Sequence, residues 1–226
     1  VQHRALLDQW ANYLLKTGYD PENQLCTDDF AGHLAHNCNL SVKLICALGA
    51  YARLLRTCGE TENAEKFAAA ARDFAEKWEA AAFENDHYRL AFDTPGSWSL
   101  KYNMVWDRLL GLNLFPASVA EKEMAFYRKV QNVYGLPLDS RKTYTKLDWI
   151  LWTATLTGRD EDFRALLAPA VKWLEEGVSR VPMTAWYETV GDGRKVGFQA
   201  RSVFGGLFIR LMAEEKLRAK WYAKRK

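Results

Sequence analysis

The chain has 226 residues, a formal net charge of +3, 49% hydrophobic residues and a mildly negative mean hydropathy. This fits one domain, or a large piece of one, with a sizeable buried core. A charge this small does not argue for nucleic acid, and no apolar run of about 18 residues announces a membrane span. The basic end LRAKWYAKRK reads as a solvated helix end. Gly (14) and Pro (6) are sparse beside Ala, Leu, Lys, Arg and Glu, which favours helix.

In chain order, residues 3–17 predict an amphipathic helix with Leu6, Leu7, Trp10, Tyr13 and Leu14 on one stripe. Residues 39–57 are apolar nearly all round, as a buried helix would be. Residues 61–84 place Ala64, Phe67, Ala71, Phe74, Trp78 and Ala81 at helical spacing among charges, which predicts a half-exposed helix. The alternation repeats: 100–111 apolar, 117–132 amphipathic, 143–157 apolar, 160–179 amphipathic, 200–217 apolar again.

Connections from buried to outer helix are short: CGET, FPAS and GRDE. Those from outer to buried helix are long: 18–38, 85–99, 133–142 and 180–199. Their spacing repeats a supersecondary unit rather than a sequence. The expected fold is therefore all-α, an (α/α) toroid of consecutive helical hairpins over 1–226. Eight helices fall short of the twelve of a closed six-hairpin ring, so either the barrel is incomplete or the rest lies upstream. All four long loops should then lie on one face, at the positive ends of the buried helices.

The first loop, NQLCTDDFAGHLAHN, sets Asp28 and Asp29 beside His33 and His36. Carboxylates near imidazoles suit acid–base chemistry, although a capping Asp and packed histidines would explain them equally. The spacing matches no metal motif, and neither metal nor cofactor is expected. The four cysteines, Cys26, Cys38, Cys46 and Cys58, form no CxxC pair. The second loop offers Asp93 and Trp98, then Lys101, Tyr102 and Asn103. Trp98 could stack on a flat ligand face or simply pin the loop. The third brings Asp139 and Arg141, a residue shaped to clamp a carboxylate. Asp148 follows between apolar residues, unusual unless satisfied or functional. The fourth holds Trp186 and Glu188, a VGDGRKV segment that looks like a small β-hairpin, and Arg201. The carboxylates Asp28, Asp29, Asp93, Asp139 and Glu188 are the catalytic candidates; no GxSxG nucleophile elbow is present.

The stretches NQLCTDDFAGHLAHN, DHYRLAFDTPGSWSLKYNMVWDRLLGLNLFP, YGLPLDSRKTYTKLDW and WYETVGDGRKVGFQARSVFGG together resemble the six-helical-hairpin domain of the glutaminase A family. The resemblance covers nearly the whole chain. It implies kinship with six-hairpin glycosidases, hydrolysis of the side-chain amide of glutamine, and an exported, secreted or periplasmic parent protein with upstream domains. Arg141 or Arg201 would hold the substrate's α-carboxylate, with His33, His36, Trp98, Lys101, Tyr102, Asn103 and Trp186 lining the site. The alternatives are a six-hairpin glycosidase holding an oligosaccharide on Trp98 and Trp186, and a non-catalytic carbohydrate- or protein-binding module. One departure stands out: Ala185 precedes Trp186, where relatives are expected to carry an acid. If that acid is catalytic the chain is inactive; if it only caps a turn, little changes.

Overall fold

The computed structural model describes residues 2–22, 31–179 and 181–224. The fold is all-α, with two very small antiparallel strand pairs among the described residues. Two compact units divide the chain: residues 1–97 with 106–116, and residues 98–105 with 117–226.

The first unit is built on α1 (Arg4–Thr17), α2 (Cys38–Thr57) and α3 (Thr61–Ala82). Asn37 starts α2 because its side-chain oxygen accepts the Leu40 N–H at 2.9 Å, supplying a partner that the first helical turn lacks. Val42, Ile45, Leu48, Ala52 and Leu55 of α2 are buried, as are Ala64, Phe67, Ala71, Ala75 and Trp78 of α3. The all-round apolar pattern of α2 and the one-sided pattern of α3 thus become a core helix and a surface helix packed together. By length and composition alone α2 could cross a membrane, yet 67% of its most apolar 18-residue window is buried. Asn39–Leu40–Ser41 has the N-x-S pattern of a glycosylation acceptor, but Asn39 is 3% and Ser41 0% exposed. Cys38 and Cys46 are buried and Cys58 is exposed, whereas Cys26 lies outside the described residues. A turn links β1 (Phe83–Glu84) to β2 (His87–Tyr88), and Tyr88 stacks on Trp78 with ring centroids 4.9 Å apart. The chain returns to this unit after Val105, within α4 (Val105–Leu110).

The second unit repeats the alternation. α5 (Ala117–Val130) and α7 (Asp160–Glu176) are amphipathic, and between them α6 (Leu147–Ala154) is buried almost throughout. β3 (Tyr144–Lys146) leads directly into α6 and pairs with β4 (Trp186–Glu188) in the register Tyr144↔Glu188, Thr145↔Tyr187, Lys146↔Trp186. Two expectations need correction. Residues 143–146 are not helix, because their backbone is taken by β4. Residues 200–217 are not one buried helix but a 3-10 segment (Ser202–Phe208), α8 (Ile209–Ala213) and α9 (Glu215–Ala223). The adjacent glycines Gly205 and Gly206 weaken α-helix there, and Phe208, Leu211 and Met212 are 63%, 50% and 44% exposed.

The fourth-loop hairpin forms as expected. Glu188 N–H donates to Arg194 O at 2.9 Å and Val196 N–H to Trp186 O at 3.0 Å. Its tip turns through Gly191 and Gly193, both at positive φ. Trp173 of α7 pins it, stacking on Tyr187 at 3.8 Å and donating from Nε1 to Gly193 O at 2.7 Å. A Cβ at Gly193 would lie 2.7 Å from the Trp173 ring, so only glycine allows this approach.

Candidate functional site

In the first unit, the first two long loops meet. Phe92 N–H donates to His36 O at 3.0 Å, Cys38 N–H to Leu90 O at 2.9 Å, and Tyr19 packs edge-on against Phe92. His36 Nδ1 lies 2.8 Å from Asp20 Oδ1, which holds the imidazolium above its ordinary range against the opposing effect of burial; Asp93 adds a smaller push. Asp93 and His33 are exposed, and the Asp93 carboxylate accepts the Thr94 hydroxyl at 3.1 Å. Asp28 and Asp29 lie outside the described residues. The buried Asp107 is structural: its carboxylate oxygens accept Leu114 N–H at 3.0 Å and Phe115 N–H at 3.3 Å, closing the turn after α4.

In the second unit, residues 98–103 and the third and fourth loops are brought together. Leu100 N–H donates to Leu138 O and Ser140 N–H to Trp98 O, both at 2.9 Å, so the second and third loops form one ladder. Asp139, 3% exposed, is spoken for. Arg141 donates to its two oxygens through Nε at 3.0 Å and Nη2 at 2.7 Å, and its own N–H adds a third bond at 2.9 Å. A clamp of this kind shapes the loop and removes Arg141 as a ready receptor for a substrate carboxylate.

Lys101 is equally committed. It is fully buried, with Nζ 2.9 Å from Ser99 O and 3.7 Å from Glu123 Oε2. Tyr127 completes the network by donating to Glu123 and accepting Lys101 N–H at 3.0 Å. Tyr102 is buried and stacks on Trp149 at 4.2 Å; Asn103 is buried beside it. Trp98 is half-buried and meets Phe126 edge-on at 5.7 Å. Glu188 is half-buried and accepts the Thr143 hydroxyl at 2.7 Å.

What remains gathers at the corner where β3 enters α6. Lys146 is 4% exposed and Asp148 5%. Lys146 Nζ sits 5.6 Å from the centre of the Trp149 ring, and burial depresses its ammonium below the ordinary range. Burial pushes the Asp148 carboxyl above its ordinary range, and Lys146, the helix-head N–H groups and Arg201 only partly counter this. Among the described residues no donor reaches Asp148 Oδ1. Leu147 N–H donates to Ala185 O at 2.8 Å, tying the start of α6 to the fourth loop. Next along that loop, Trp186 packs on Tyr144 at 5.5 Å and Phe198 at 5.4 Å. The exposed Arg201 guanidinium lies 4.6 Å over the Phe198 ring. Among the described residues no cluster of three or more His, Cys, Asp or Glu could hold a metal ion.

Sequence reasoning marked Asp148 as an acid out of place in an apolar run but did not rank it with the catalytic candidates. Lys146, on the same incoming segment, is likewise not among the site candidates; its signal is a lysine directly before a buried helix.

The model of the glutaminase A six helical-hairpin domain matches residues 1–211. The chain is 36% identical over 218 residues to glutaminase A of Aspergillus oryzae, covering 93% of this chain and 31% of that protein. It is 35% identical over 243 aligned positions to a probable glutaminase of Arthroderma benhamiae, covering 94% of this chain and 28% of that protein. The chain thus spans about a third of the length of these curated relatives. With its helical hairpins and this match across nearly its whole length, the chain belongs to the glutaminase A six helical-hairpin domain family.

Proposed function

We propose that the chain carries an amide-hydrolysing site of the glutaminase kind, at the β3–α6 corner of the second unit, and that its substrate is glutamine. One observation carries this reading: a buried carboxylate, Asp148, lies in the fields of two cations, Lys146 and Arg201, in a chain whose relatives bear the name glutaminase. Glutamine offers a matching set of groups. Its α-carboxylate suits the exposed Arg201, since Arg141 is held by Asp139. Its side-chain carbonyl develops negative charge as water adds, and Lys146 would stabilise that charge. Activation of water then needs one carboxylate and no cofactor. On this reading the domain works inside a longer exported protein whose upstream domains are its neighbours.

Glycoside hydrolysis has weaker support. Trp98 is packed against Phe126, and Asp139 is tied up by Arg141, which leaves only Glu188 among the catalytic candidates of this unit to act with Asp148 as a second acid. The test is ammonia release by the purified full-length protein. Incubation with L-glutamine should yield ammonia and glutamate in equal amounts. Turnover confined to oligosaccharides or aryl glycosides would move the protein to the glycosidases, and binding without turnover would make it a binding module.

A further inference from the structure

We infer that Asp148 is the proton-transfer residue of this site, taking a proton from the attacking water and delivering one to the departing nitrogen. The inference rests on the amide-hydrolase reading above and adds to it the identity of the acid–base.

The other buried or half-buried acids described in the same unit have donors at hand, Asp192 among them through Arg194. Asp139 is gripped by Arg141, Glu123 by Tyr127 and Lys101, and Asp162 by Thr157, Arg159 and Arg128. Glu188 meets Thr143. Asp148 differs, because it is buried and yet its Oδ1 meets no donor among the described residues. An acid in an apolar helix with one bare oxygen is costly to the fold, so a role outside the fold is the economical explanation.

The surroundings suit that role. The 3-10 segment passes close by: a Cβ at Gly206 would lie 3.2 Å from Asp148 Cβ, and Trp152 Nε1 holds Gly206 O at 3.1 Å. Gly206 therefore puts backbone, and no side chain of its own, against the Asp148 side chain. The charged groups acting on Asp148 are Lys146 on β3 and Arg201 at the head of the 3-10 segment. Several charges on the other elements packed against α6 are engaged elsewhere. Before the 3-10 turn Tyr102–Met104, Lys101 faces Ser99 and Glu123. On α7, Asp160 meets Arg210, and Asp162 meets Arg159 and Arg128; Arg210 of α8 also meets Glu214. The raised affinity of Asp148 for a proton brings it closer to the working range of a general base.

The step balances simply. Ionised Asp148 takes one proton from water as the oxygen bonds to the amide carbon and the carbonyl electrons move onto oxygen. The protonated carboxyl then gives that proton to the nitrogen as the carbon–nitrogen bond breaks. Ammonia and a carboxylic acid leave, Asp148 is again ionised, and no oxidant or further reactant is consumed.

The experiment compares the full chain with Asp148→Asn and Asp148→Glu, measuring ammonia release from glutamine as kcat and KM across pH. Wild type should show an acid limb, where kcat falls as Asp148 takes its proton. Asp148→Asn should lose about 10²–10⁴-fold in kcat with KM little changed, and its residual rate should lack that limb. Asp148→Glu should keep part of the activity with the limb displaced. If Asp148→Asn does not fold, the displaced limb of Asp148→Glu carries the test, and a limb at the wild-type position overturns the role. Active wild type with an equally active Asp148→Asn overturns Asp148 and leaves the glutaminase reading standing. No ammonia from wild type overturns both.

Discussion

Each unit buries an aspartate close to a short helix, and the two are used differently. Asp107 in the first unit and Asp148 in the second are 8% and 5% exposed, and burial raises the proton affinity of both. Asp107 has backbone donors on both oxygens and closes a turn. Asp148 has Oδ1 bare among the described residues and two cations acting on it. Burial alone therefore does not mark a functional acid; the pattern of partners does. Two buried lysines among the described residues of the second unit repeat the contrast. Lys101 sits among a serine and a glutamate, while Lys146 sits over the Trp149 ring with its ammonium disfavoured.

The largest expected effect on stability tests the committed side of that contrast. Glu123→Ala leaves Lys101 buried without its acid and should cost about 3–5 kcal/mol, read from urea unfolding of the full chain. A cost below about 1 kcal/mol would mean that the network is not holding a charge. Asp107→Ala comes next. It strips the acceptor from two backbone N–H groups and should cost about 1–3 kcal/mol, with the specific activity of the folded fraction unchanged.

Asp148→Asn should behave in the opposite way. A carboxyl whose folded pKa lies above its unfolded value of 3.8 binds more protons folded than unfolded. Wild type therefore loses stability as pH rises above that value, and the variant does not. The variant should melt at or above the wild-type temperature at neutral pH, with the difference closing below pH 3.8. A variant that melts lower at neutral pH would mean that Asp148 holds the fold, as Asp107 does.

Much of the fold was legible in the sequence, for a reason that α2 and α3 illustrate. Residues 39–57 and 61–84 were expected to be helical, and the helices run Cys38–Thr57 and Thr61–Ala82, because one continuous apolar periodicity defines each. Tyr144–Lys146 was misread as helix because its partner, Trp186–Glu188, is about forty residues away, and pairing at that distance leaves no local signal. The site was legible only in part for the same reason. An arginine in a loop is visible in sequence, but the fact that Arg141 closes on Asp139 is not. Lys101 looked like a loop cation and is fully buried. Asp148 could be seen as anomalous; its bare oxygen could not.

The smallest expected effect lies in the first unit. Arg4 bonds Glu60, Asp8 and Tyr51, joining α1 to the residues before α3, and the Arg4 hydrogen bond holds the Glu60 carboxyl down at about 2. A depressed carboxyl adds stability above its unfolded value of 4.5 that is lost as pH falls toward 2. Glu60→Gln should therefore flatten a small acid loss in melting temperature across that window, more visibly at low salt, with no change in activity.

The most direct test of the central claim is a crystal structure of Asp148→Asn in the full chain, slowed by the substitution and soaked with glutamine. The account predicts the side-chain amide carbon within about 3–3.5 Å of a water held by residue 148, and the α-carboxylate on Arg201. Glutamine bound with its amide against Glu188 or Asp139, away from residue 148, would contradict it.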